Sequence, residues 1–192
     1  MEATKVLIFN NYTIMKKLFI TLFLAVMAIG ANAQVTWNVR AGVALANVDV
    51  KRYGSLRGSD MGVTPALAIG CNIPIAESKF TFSPTIISLV AGKADYYYSD
   101  YEVKFTTINL PLYIGYKMKL SGNRYFVPKV GPYIGYLHTK ESYEDCPNDA
   151  VRFGPSAELA FELNHFIVAL SGSMAIYETC SGQGCLTIGY KF

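Results

Sequence analysis

The chain has 192 residues, of which 52% are hydrophobic, 14% aromatic and only 16% charged. That composition is too apolar for a disordered segment and light in charge for a soluble surface. The formal net charge is +3, and nothing in that balance argues for a nucleic-acid partner.

The first 14 residues precede a better-placed initiator, Met15, and are read as an over-extended N-terminus. From Met15 the chain runs MKKLFITLFLAVMAIGANAQ. Lys16 and Lys17 form a basic start, 18–30 an apolar run, and Ala31-Asn32-Ala33 a small-x-small cleavage site. The pattern predicts a secretory signal peptide over 15–33, cleaved after Ala33, with a mature domain over 34–192. Removing 1–33 takes away three of 17 basic and one of 14 acidic residues, leaving a charge of about +1. No later stretch approaches the roughly 18–20 continuous apolar residues of a membrane helix.

From Gln34 onward the period is two. Val35, Trp37, Val39, Ala41, Val43 and Leu45 share one face of a first strand. In the second, Met61, Val63, Leu67, Ile69, Cys71 and Ile73 oppose Gly62, Thr64, Ala66, Ala68, Gly70 and Asn72. Further strands are expected near 79–93, 103–118, 124–138, 151–163, 166–177 and 185–192. The sixth sets Val151, Phe153, Ala157, Leu159 and Phe161 against Arg152, Gly154, Ser156, Glu158 and Glu162. Alternation of this kind marks strands with two different environments. Most of the eight exceed the 9–11 residues or so that cross a bilayer at a tilt.

The less apolar face is mostly Gly, Ala, Ser and Thr with scattered charges. That suits the cramped inside of a narrow barrel, with the large apolar face against lipid. The connections alternate: long near 47–60, 94–102, 139–150 and 178–184, short near 76–78, 119–123 and 164–165. Long external loops and short periplasmic turns give the same alternation in outer-membrane barrels. The fold expected is all-β: an eight-stranded antiparallel up-and-down transmembrane barrel. Pro65, Pro84, Pro111, Pro128, Pro132 and Pro155 fall inside these strands. Proline cannot donate to a ladder, so some of them must mark bulges or strand ends.

The stretches GANAQ, FSPTIISLVAGK, INLPLYIGYK, VGPYIGYL and the terminal IGYKF follow one another in that order. With these features the chain resembles the PorT-like, porin-family outer-membrane β-barrel proteins of Bacteroidetes, a Gram-negative group. One departure is Thr85, where many relatives carry an inward acidic residue, so an interior charge network built there would be altered. The resemblance implies an eight-stranded barrel in the cell outer membrane and little about activity. Some relatives belong to a protein-secretion and gliding apparatus, a role that fold alone cannot transfer.

Parity places Arg40, Lys117, Lys129, Arg152, Glu158, Glu162 and Lys191 inward. An eight-stranded barrel is just wide enough for side chains, so these charges are expected to pair and plug the lumen. The competing reading is a narrow passive channel. Tyr96, Tyr97, Tyr98 and Tyr101 crowd the second long loop and offer contact area to an extracellular protein or glycan. They also suit an aromatic girdle at the lipid boundary. Cys180 and Cys185 bracket Ser-Gly-Gln-Gly and could close a small disulfide loop. Pairing of Cys146 with either is the competitor. Cys71 is placed alone on the lipid face. His138 and the external cysteines lack the tight ligand-pair spacing of a zinc site, so no metal or cofactor is expected. Nor is an enzyme, since no nucleophile and base are matched. The expected function is a structural and interaction role through the external loops. An accessory place in a secretion apparatus is the other alternative. Expected partners are outer-membrane lipid and, through Tyr190 and Phe192 as a C-terminal assembly signal, the barrel-assembly machinery.

Overall fold

The computed structural model describes residues 35–46, 50–52, 55–57, 62–76, 78–96, 99–140, 149–176 and 182–192. At 50–52, 55–57, 93–96, 99–103, 139–140 and 149–150 it describes the backbone alone. Every described strand belongs to the unit Thr36–Phe192.

Among the described residues eleven strands follow in chain order. They are β1 (Thr36–Ala46), β2 (Val50–Arg52), β3 (Ser55–Arg57), β4 (Gly62–Pro74), β5 (Phe80–Tyr96) and β6 (Ser99–Tyr116). Then come β7 (Met118–Ser121), β8 (Arg124–Lys140), β9 (Asp149–Leu163), β10 (Phe166–Met174) and β11 (Gly182–Lys191). The main sheet runs β6-β5-β4-β1-β11-β10-β9-β8-β7, and β6 also pairs with β8, so the sheet closes on itself. β6 and β7 form one stave interrupted at Lys117, which gives an eight-stranded antiparallel barrel. β2 and β3 form a separate two-stranded ribbon between β1 and β4.

The closing seam is β1 against β11, in unbroken register from Asn38↔Lys191 to Ala46↔Gln183. It is fastened at its end by two backbone hydrogen bonds: Trp37 N–H donates to Phe192 O, and Phe192 N–H to Trp37 O, both at 2.9 Å. The turn from β9 to β10 is Asn164-His165, where Asn164 takes a φ of 56°, a left-handed conformation that Asn tolerates.

Each of the six prolines expected inside strands lacks a ladder partner on one side only. Pro65 pairs with Val43 but lies beyond the β4–β5 ladder. Pro84 pairs with Leu112 and is skipped by β4, next to a register shift. Pro111 pairs with Tyr133 and is skipped by β5. Pro128 pairs with Leu159 and falls between the β6 and β7 ladders. Pro132 and Pro155 pair with each other, and each is unpaired on its far side. An antiparallel residue sends its N–H to one neighbour only, so a ring nitrogen facing an interruption costs no ladder bond.

The alternation carries through to burial. Val63 at 73%, Val130 at 64% and Ile188 at 60% exposure belong to an outward apolar face that runs round the barrel. Such a face is unfavourable in water and matched by lipid. At the short-turn end, Phe80–Tyr116, Phe126–Phe161 and Phe166–Tyr190 form aromatic pairs with centroids 5.2, 4.8 and 6.0 Å apart, as in an interfacial girdle. The inward faces form the core. Toward the long-loop end it is apolar, with Ala44, Ala66, Val90, Phe105, Leu137 and Cys185 clustered. A second cluster, Val127, Ala160, Ile167 and Ala169, lines β8–β10.

Three expectations need correction. The stretch 94–102 is not a long loop: β5 and β6 stay paired through Asp95↔Glu102 and on to Tyr96↔Ser99. β11 begins at Gly182, three residues earlier than expected, so Cys185 lies within a strand. Cys71 does not meet lipid. It pairs with Trp37 and is 1% exposed, in a run from Gly70 to Ile73 that is wholly covered beside the Ile69/Gly70 register shift.

Candidate functional site

The inward charges are held by strands on opposite sides of the ring. Arg40 comes from β1, Lys129 from β8, Glu158 and Glu162 from β9, and Lys191 from β11. Lys117 sits at the β6–β7 interruption, its N–H donating to Lys79 O at 2.8 Å. Arg40, Lys129, Arg152, Glu158 and Glu162 are all at most 7% exposed.

Glu158 is the centre. Arg40 Nη1 donates to its Oε2 at 2.7 Å, and Lys129 Nζ to its Oε1 at 2.8 Å. Lys129 and Glu158 are cross-strand neighbours, whereas Arg40 reaches from β1, three staves from β9. The second guanidinium nitrogen of Arg40 donates to Thr85 Oγ1 at 3.3 Å. Thr85 thus supplies a hydroxyl, which accepts one bond without adding charge. Gly189, the seam partner of Arg40, makes this possible: a Cβ there would overlap Val39 O and the Arg40 stem.

A second rung lies nearer the short-turn end. Glu162 Oε2 accepts from Lys191 Nζ at 2.8 Å and pairs with Lys117 Nζ at 3.3 Å. Its Oε1 accepts from Asn72 Nδ2 at 3.1 Å. Asn72 belongs to β4, diametrically opposite β9, and its Oδ1 accepts from Lys129 Nζ at 3.4 Å, joining the two rungs. Nearer the long loops a neutral rung also spans the full diameter. Gln183 Oε1 on β11 accepts from Thr107 Oγ1 and Asn109 Nδ2 on β6, both at 3.1 Å. Two carboxylates therefore serve four cations in a site where an unpaired charge would be costly.

The rungs leave little space. A pocket of about 20 Å³ lies beside Arg40, Tyr113, Glu158 and Gln183, room for a water molecule at most. Beyond Glu162 the lumen widens into a cup of about 300 Å³ at the short-turn mouth. Structurally the arrangement is a stopper: two carboxylates paired with cations across the lumen, with an apolar cluster above them.

The other site expectations divide. Cys185 is a thiol buried inside the barrel, accepting from Gln183 Nε2 at 3.2 Å; Cys180, its expected disulfide partner, lies outside the described residues. The Cys185 side chain follows the inward parity of β11, away from an external loop. Cys180, Cys146, Tyr97 and Tyr98 lie outside the described residues, and of Tyr96 and Tyr101 only the backbone is described. Among the described residues no group of His, Cys, Asp and Glu is placed to hold a metal ion. The charge reading did not include Asn72, Thr85, Asn109 or Gln183. Inward parity with hydrogen-bonding capacity is the signal that would have found them.

No family model matches the chain, and no curated protein matches it. Among solved structures it is similar to Neisserial surface protein A (NspA), at 9% identity and a TM-score of 0.53, over 82% of this chain and 95% of that one. It is also similar to Ail, the attachment invasion locus protein of Yersinia pestis, at 12% identity and 0.49, over 82% and 98%. A third is the outer membrane protein OprG from Pseudomonas aeruginosa, at 12% and 0.49, over 82% and 95%. The likeness is one of fold: this chain has the eight-stranded barrel of outer-membrane proteins.

Proposed function

We propose that this chain is a non-enzymatic outer-membrane protein with a closed lumen, acting as a structural and interaction module through its external loops. The observation that carries the reading is the cross-lumen ladder. Arg40, Glu158, Lys129, Asn72 and Glu162 are bonded from wall to wall inside a barrel whose outer face is apolar. A protein that spends its interior on closure has its loops left for recognition. Tyr96, Tyr97, Tyr98 and Tyr101 are the residues we assign to a protein or glycan partner, because clustered tyrosines give contact area with hydrogen-bonding tips. The short motifs quoted above support placement among the PorT-like barrels of Bacteroidetes, with export directed by cleavage after Ala33.

Two measurements test it. Folded barrels reconstituted in planar bilayers should show no stepwise current, and a steady unitary conductance from the unaltered chain would sink the closed-lumen reading. Replacing 96–101 by Gly and Ser should abolish capture of the cell-surface partner while the barrel keeps its heat-dependent gel mobility. Undiminished capture would remove the loop assignment.

A further inference from the structure

The widened mouth at the short-turn end is not used by this reading. We propose that it is a blind, basic cup that binds a phosphate-bearing anion. The inference rests on the closed lumen for its floor and on its own lining for the ligand.

The cup has a volume of about 300 Å³, at the small end of ligand sites. Lys79, Lys117, Lys119 and Lys191 line it, against a single described carboxylate, Glu162. The lining therefore carries an excess of three positive charges; Glu77, in the neighbouring turn, lies outside the described residues and is not counted. Two of the four ammoniums are held in place before any ligand arrives. Lys191 is pinned by Glu162 at 2.8 Å. Lys117 is pinned by Glu162 at 3.3 Å and sits 4.3 Å from the centre of the Tyr125 ring. An ammonium has three donors, so each pinned lysine keeps N–H groups for a ligand. Lys79 and Lys119 are exposed at the rim, on neighbouring staves.

The charge count selects the ligand. A lone carboxylate would neutralise one of three excess charges. A phosphomonoester or pyrophosphate brings about two or more, with several acceptor oxygens. Lysine suits such a ligand as a point charge without a fixed approach. The floor closes the other direction: Asn72 and Glu162 bond across the lumen beneath the cup, so an anion entering here meets an end. The aromatic pairs around this mouth put it at the level of lipid headgroups. The phosphate could thus belong to a lipid headgroup or to a soluble molecule.

The test uses the full chain folded in zwitterionic detergent, titrated with pyrophosphate by calorimetry at constant ionic strength. Saturable one-site binding is expected. Lys79→Gln with Lys119→Gln should weaken it about tenfold, the scale of losing close charge pairs. Lys104→Gln, an exposed lysine toward the long-loop end of β6, should leave it unchanged. Heat released without saturation, or an equal loss on Lys104→Gln, would overturn the proposal. The two rim lysines are exposed, so their replacement leaves the barrel folded. Repeating the titration in nanodiscs of phosphatidylcholine with and without phosphatidic acid separates the sources. Competition by phosphatidic acid assigns the cup to a headgroup, and undiminished pyrophosphate binding assigns it to a soluble anion. The two readings fail separately. A conducting barrel that binds pyrophosphate would sink the stopper and keep the anion site, and a silent barrel that ignores pyrophosphate would do the reverse.

Discussion

Removing the charge of Glu158 would leave Arg40 and Lys129 buried, at 4% and 3% exposure, without their shared counter-ion. Breaking a buried pair from one side typically costs about 3–5 kcal/mol. Glu158→Gln is therefore expected to lose stability on that scale in denaturant unfolding from lipid vesicles, with Lys104→Gln as the neutral control. A loss below about 1 kcal/mol would match a surface pair and contradict the bonded geometry. At this scale the sequence was partly legible. Alternation in 151–163 points Arg152, Glu158 and Glu162 to one side, and the closed ring then brings Glu158 to Arg40 and Glu162 to Lys191. Asn109 and Gln183 were not legible as part of the ladder. An amide has meaning there only once the opposite wall is known, and the two lie 74 residues apart in sequence.

The elements were the most legible, because a two-residue period survives wherever one face is lipid and the other a crowded interior. Their ends were not. Tyr96 and Tyr101 lie in paired strands although their run of tyrosines and aspartates has loop composition. Cys185 follows Gly-Gln-Gly, which reads as a flexible span, yet β11 begins inside it. A seam partner supplied the order that composition did not. The prolines show the converse: each was suspect by itself, and each is tolerated because the neighbouring ladder is interrupted where its ring nitrogen faces. The β1–β11 seam carries its own expectation. Deleting Phe192 removes the two backbone bonds to Trp37, worth about 1 kcal/mol each. Refolding into vesicles should proceed with only that modest loss. If Tyr190 and Phe192 also form the assembly signal, outer-membrane yield in cells should fall far more steeply. Equal losses in both assays would reduce Phe192 to a strand end.

For the barrel as a whole, solvent order is inverted: the charged side chains meet inside, and a belt of large apolar ones faces out. Leu170, 54% exposed on β10, is one such residue. Leu170→Arg is expected to destabilise the bilayer-embedded barrel by about 2–4 kcal/mol if it lies near the midplane, read from unfolding in vesicles. In a water-facing sandwich the same change would be nearly neutral, so a negligible effect would argue against the lipid assignment.

The seam has one more consequence. Trp37 is the only tryptophan in the chain, and it stands where the first strand meets the last. The molecule's indole fluorescence therefore reports from the point at which the cylinder shuts. Strands inserted without joining would leave that indole in a different surrounding from the finished ring. Emission wavelength, and quenching by brominated acyl chains, can then time closure separately from insertion, with no label added.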